Sequence, residues 1–194
     1  MSATTTTIPP GARAGFARAL VADVGRPGPG AVQLVARVLA ELVAEPEPPR
    51  EAPIVLAATD YCLRAVAEFT AKCEDTAQRL RPSVSLALEP SLLLGRFTVE
   101  HAWQGPCYAL ATPGGAGESA LRWAMAAVES GTVPAAVVCE VVHGRAAGEE
   151  TLLAAAALIG PDGATTSEAR LLGGALDGLD SVLLRAARGE AVRT

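Results

Sequence analysis

The chain reads as an α/β protein in which helices cover a layered, mostly parallel sheet, and three observations predict this. The apolar run Pro53 to Ala58 is continuous where a half-exposed strand would alternate, the pattern of a parallel strand buried on both faces, and Ala135 to Val142 reads as a second buried strand. Stretches of helical period lie between them. Half of the residues are hydrophobic and 4% are aromatic, with Ala, Val, Leu and Gly dominant, a composition suited to tight helix-on-sheet packing rather than to a sandwich rich in Tyr and Trp. A length of 194 residues allows one well-cored domain. The expected organisation is a flexible Thr-rich tail over residues 1–10 and one domain over 11–194 that closes with a helix.

In chain order, residues Gly15 to Val24 suit a short strand or helix, and the breaker cluster Gly25-Arg-Pro-Gly-Pro-Gly30 ends that segment. Val32, Val35, Leu39 and Leu42 recur at helical spacing with Gln33, Arg37 and Glu41 turned outward, which predicts an amphipathic helix over Val32 to Val43. The Pro-rich segment Glu45 to Glu51 closes it. After the strand Pro53 to Ala58, Thr59 or Asp60 can cap a helix from Tyr61 to about Leu80, with Leu63, Val66, Phe69 and Cys73 on one face.

A loosely alternating segment from Ser83 to Leu88 and the break at Pro90-Ser91 precede a helical stretch from Leu92 to Ala102. Trp103-Gln-Gly-Pro106 is a turn into the strand Cys107 to Thr112, and a small-residue turn opens the helix Glu118 to Ser130, with Leu121, Ala124, Met125 and Val128 inward and Gly131 as terminator. The strand Ala135 to Val142, a loop from His143 to Glu150, the strand Leu152 to Ile159 and a helix or helical hairpin from Leu171 to Ala187 complete the pattern. Strand and helix alternate with crossovers of helical length, as a parallel sheet requires.

Composition narrows the partners. A net charge of −5 with scattered basic residues argues against a nucleic-acid or anionic-membrane surface. The first ten residues lack the basic start and apolar core of a signal peptide, and no stretch reaches the length of a membrane span, so a cytoplasmic protein is expected. Cys62, Cys73, Cys107 and Cys139 form no C-x-x-C pair, and the two histidines, His101 and His143, have no Cys at zinc-ligand spacing, so neither metal nor cofactor is expected. The mean hydropathy of +0.30 is high for a monomer and hints at apolar surface reserved for another protein.

The segment Pro90 to Val142 is the most specific. Pro90-Ser91, Trp103-Gln104-Gly105-Pro106, a strand ending in Thr112, the turn Pro113-Gly-Gly-Ala-Gly117, a helix, Ser130-Gly131 and Ala135-Ala-Val-Val-Cys139 follow one another at the spacing of the N-terminal half of β-ketoacyl synthases. The chain resembles that family over roughly residues 31 to 160. The resemblance implies a truncated thiolase-like fold, and counted from Gly105-Pro106, the nucleophilic Cys position of the family falls on Gly114. Its catalytic His pair and Lys belong to a C-terminal half with no counterpart in this sequence. The chain is in these respects similar to a chain-length factor, a ketosynthase-like subunit without the Cys that pairs with a catalytic ketosynthase.

The resemblance further implies a catalytic β-ketoacyl synthase subunit and an acyl carrier protein as partners, in polyketide, polyene or fatty-acyl synthesis. In the family the strand matching Cys107 to Thr112 pairs antiparallel with its equivalent in the partner, and the helix opening at Tyr61 reaches across the twofold to wall the partner's acyl tunnel. The candidate partner and tunnel residues are Tyr61, Cys62, Leu63, Phe69, Trp103, Cys107, Tyr108, Leu110 and Thr112. For Tyr61 to Phe69, tunnel wall and ordinary core fit the residues equally, as do interface and core for Trp103 and Tyr108.

Other chemistry finds less support. Gly114 to Gly117 at a helix start could cradle a phosphate, but the Lys-Ser/Thr of a P-loop and the spacing of G-x-G-x-x-G are missing. Ser119 has no His or carboxylate in register to activate it. Two alternatives stay open: a thiolase-fold scaffold that docks an acyl carrier protein, and a malonyl decarboxylase subunit using backbone N–H groups at Gly114 and Gly115.

Overall fold

A computed structural model describes residues 13–26, 30–44, 50–75, 77, 85, 88–112, 115–146, 149–164, 168–173 and 180–190. The strands are β1 (Ala14–Phe16), β2 (Leu20–Gly25), β3 (Ile54–Ala57), β4 (Cys107–Leu110), β5 (Ala136–Ala146), β6 (Glu149–Pro161) and β7 (Ala169–Leu171). The helices are α1 (Ala31–Val43), α2 (Thr59–Glu74), α3 (Leu92–Glu100), α4 (Ala116–Glu129) and α5 (Val182–Ala187).

The strands form one seven-stranded sheet in the order β4-β3-β5-β6-β2-β7, with β1 also paired to β6. β3 is parallel to β4 and β5, β7 is parallel to β2, and β6 is antiparallel to β1, β2 and β5. Six strands therefore share one direction and β6 alone runs against them. The expected α/β architecture with a mostly parallel sheet is what the chain adopts.

Side chains alternate between two cores because successive strand residues point to opposite faces. Ile54, Leu56, Val137, Cys139, Leu152 and Ala154 turn to one face, under α1 and α3. Val55, Ala57, Ala136, Val138, Leu153 and Ala155 turn to the other, under α4 and α5. The many Ala residues of β6 let helices approach both sides closely. α1 buries Leu34, Val35, Val38, Leu39 and Leu42 and leaves Arg37 outside, as its period predicts. α4 buries Leu121, Ala124 and Val128 and ends at Gly131, whose φ of 72° lies where only glycine is unstrained.

Three local expectations need correction. The segment Leu171 to Ala187 is not one helix: Ala169–Leu171 is a strand paired parallel with β2, and among the described residues of the segment the helix is Val182–Ala187. The expected loop from His143 to Glu150 is instead the end of a long hairpin, in which β5 and β6 stay in register from Ala136 opposite Ile159 to Ala146 opposite Glu149. α2 begins at Thr59, so the N-cap position falls on Ala58 and not on Thr59 or Asp60, and the Thr59 hydroxyl donates to the Thr112 carbonyl at 2.8 Å. Among the described residues no helix is long and apolar enough to cross a membrane.

Candidate functional site

The candidate partner residues sit at the β4 margin of the sheet and on α2. β4 pairs with β3 on one side, and among the described residues no strand pairs with its other side. Cys107, Tyr108 and Ala109 are exposed and Leu110 is half-buried, an unusual state for a strand of this composition. Tyr108, 46% exposed, packs its ring against Trp123 of α4, 41% exposed, with centroids 5.6 Å apart and a tilt of 58°. Edge strands are ready templates for pairing with another chain, and most proteins blunt them with charge, bulges or a covering element. β4 carries none of these in its sequence Cys-Tyr-Ala-Leu.

α2 shows a similar mismatch between composition and surroundings. Leu63 is 60% exposed and Val66 51% exposed, and Cys73 is also exposed. The face expected to pack inward is thus largely open. Tyr61, Cys62 and Phe69 are half-buried, and Tyr61 and Cys62 lie against the core beneath α1. The Tyr61 ring stacks on His143 of β5 at 6.2 Å and 19°. Arg64 reaches from α2 to the hairpin end, with Nη2 2.6 Å from Glu150 Oε2, and also meets Glu68 at 2.9 Å. These contacts seat α2 on β5 and leave its apolar stripe outward.

The other predicted residues have local roles. Trp103 is half-buried, donates from Nε1 to the Ala52 carbonyl at 3.0 Å and tilts against the buried Phe97 ring. His101 follows α3 and stacks on Phe97 at 4.7 Å. Thr112 is exposed and is held to the start of α2 by Thr59. Burial raises the thiol pKa of Cys62; the Cys107 sulfur, tucked toward the Gly105 carbonyl, is raised in the same way although the residue is exposed. Burial and the Glu140 charge push Cys139 up to about 12. Gly114, the position matched to the family's nucleophile, lies outside the described residues, as does Pro113.

The turn into α4 borders a cavity of about 270 Å³, placed where β3 and β5 deliver Ala57 and Glu140 to the first turn of α4. Thr59, Gly115, Glu118 and Arg185 contribute to its walls. Among the described residues no group of three or more His, Cys, Asp or Glu could hold a metal ion. Two features escaped the sequence reading. Trp123 was signalled only by being a large aromatic on the outward side of an amphipathic helix, and Glu140 looked like one polar interruption in an apolar strand.

No protein-family model and no curated protein sequence matches the chain. Solved structures do. The chain superposes on a complex described as the ketosynthase ApeO with its chain length factor ApeC from Xenorhabdus doucetiae, with a TM-score of 0.53 and 11% identity over 68% of this chain and 57% of the matched one. The fold is ketosynthase-like. It also superposes on the ishigamide ketosynthase/chain length factor, with a TM-score of 0.50 and 15% identity over 67% of this chain and 42% of the matched one. The ketosynthase-like chain thus spans between two fifths and three fifths of the chains it matches. At such identities the similarity is one of fold, and residue roles rest on the geometry above.

Proposed function

We propose that this chain is a non-catalytic, chain-length-factor type subunit. It pairs with an active β-ketoacyl synthase and shapes that partner's acyl tunnel during synthesis of a polyketide, polyene or fatty-acyl chain delivered on an acyl carrier protein in the cytoplasm. The observation that carries this reading is the bare β4 edge, flanked by Tyr108 and Trp123, in a ketosynthase-like fold. An antiparallel pairing of β4 with the partner's equivalent strand would satisfy its open backbone groups and cover the aromatic pair. Glycine at position 114 supports the non-catalytic half of the proposal, since a nucleophile there would need a thiolate.

The exposed stripe of α2 has a place in the same assembly. Leu63 and Val66 cost little in the lone chain only because they are not yet committed, and burying them against a partner returns about 25 cal/mol per Å² of apolar surface. Tyr61, Leu63 and Phe69 would then face the growing acyl chain and limit its length.

Co-expression with a complete β-ketoacyl synthase that keeps its Cys and His pair tests the proposal. A one-to-one complex, and condensation that needs both chains, is the expected outcome. A chain that stays monomeric at micromolar concentration and fails to associate with the synthase would refute it.

A further inference from the structure

Glu140 is a carboxyl set in an apolar row. Its neighbours on the same face of β5, Ala136 and Val138, are fully buried in the core beneath α4 and α5, and Glu140 itself is 6% exposed. A carboxyl in such a position is tolerated only when hydrogen-bonded. Its donors come from one short segment. Ser181 Oγ donates to Glu140 Oε2 at 2.6 Å and the Leu183 N–H donates to the same oxygen at 3.1 Å. Ser181 in turn accepts from the Leu184 N–H at 3.2 Å, closing the first turn of α5. Satisfying Glu140 and docking this segment are therefore one event.

We propose that residues 180–190 form a releasable strap that builds one wall of the cavity at the α4 turn, with the Glu140 carboxyl as its latch. Asp180, Val182 and Arg185 of the strap line that cavity opposite Gly115 and Gly117 of α4. Gly117 is what allows the parts to meet: a Cβ there would strike the Glu140 carboxylate and stand 3.1 Å from the Val182 side chain. Release of the strap widens the cavity along the first turn of α4. α5 has only six residues, too few to hold a helix by themselves, so the strap stays docked only through the burial of Val182, Leu183, Leu184 and Ala187 and through the latch, and it opens as one unit when these are lost.

The groups facing the latch define its response to pH. Arg185 lies 3.1 Å from Asp180 and 3.9 Å from Glu118 of α4, Cys139 beside Glu140 is a neutral thiol, and Thr59 of α2 lines the same cavity. Burial raises the Glu140 pKa, opposed by the Ser181, Leu183 and Val182 hydrogen bonds and by the Arg185 charge. A raised carboxyl stabilises the folded chain fully below the ordinary Glu pKa of about 4.3 and loses that contribution as pH rises through the folded value.

Hydrogen exchange of the full chain at several pH values, corrected for intrinsic rates, tests the latch in wild type, Ser181→Ala and Glu140→Gln. Amides of 182–187 are expected to exchange at least about tenfold faster than those of β5 and β6, faster again in Ser181→Ala, with β5 and β6 unchanged. Opening should depend on pH in wild type and lose that dependence in Glu140→Gln. Exchange of 182–187 in step with β5 and β6 would overturn the proposal. So would global unfolding of Ser181→Ala, or a pH dependence that survives unchanged in Glu140→Gln.

Discussion

Tyr108 on the edge strand and Trp123 on α4 form a tilted aromatic pair 5.6 Å apart, with more than two fifths of each residue open to solvent. Aromatic pairs of this geometry add roughly 0.5–1.5 kcal/mol beyond area burial, and at the centre of an interface such residues become anchors. Trp123→Ala is expected to leave the fold intact, because the side chain is outward on α4, and to weaken association with the ketosynthase by about 2 kcal/mol. Circular dichroism with titration calorimetry on the same variant checks both parts.

The exposed stripe of α2 leads to a prediction about product. Tyr61→Ala and Leu63→Ala enlarge the space available to an acyl chain, whereas Leu63→Trp fills it, and overpacking a closed site costs about 1–3 kcal/mol. Mass analysis of products from the reconstituted complex should shift toward longer chains in the first two variants and toward shorter chains in the third. An unchanged distribution with assembly confirmed would make this chain a scaffold rather than a ruler.

Thiol chemistry gives a third expectation. Cys62 and Cys107 are raised by burial and Cys139 stands near 12, so none is a thiolate at neutral pH. Alkylating ketosynthase inhibitors should label the partner and leave these three unmodified in the complex, as read by intact-mass spectrometry. Gly114→Cys alone should not confer condensation.

The Arg64 to Glu150 contact predicts a measurable titration. Hydrogen bonding from Arg64 lowers the Glu150 pKa. A lowered carboxyl contributes stability above its ordinary pKa and loses it as pH falls through the folded value. By NMR, Glu150 should titrate below the usual Glu range, and return to it in Arg64→Met or at high salt, because the pair is exposed and screened.

Phe97 supplies the stability control. On α3 it is fully buried in the core shared with α1 and packs on both His101 and Trp103. Phe97→Ala should cost about 3–5 kcal/mol in denaturant unfolding, while the more exposed Leu63→Ala costs far less. Equal losses would mean that the α2 stripe is core after all.

Local signals in the sequence carried the alternation of strands and helices. The apolar runs around Val55 and Val138, the period of α1 and the glycine that ends α4 each express their structure within a few residues, so each could be read directly. Whatever depended on distant pairing could not. Leu171 lies in a strand because Ala22 stands beside it, 149 positions away, and His143 to Ala146 extend β5 because Glu149 to Leu152 stand opposite them. The period of α2 showed that Leu63 and Val66 share a face with Phe69 but not that the fold leaves much of this face uncovered. Glu140 reads in sequence as an interruption, and it becomes a latch only when the chain returns 41 residues later with Ser181. Periodicity specifies which side of an element is apolar; only the tertiary structure decides what, if anything, meets that side.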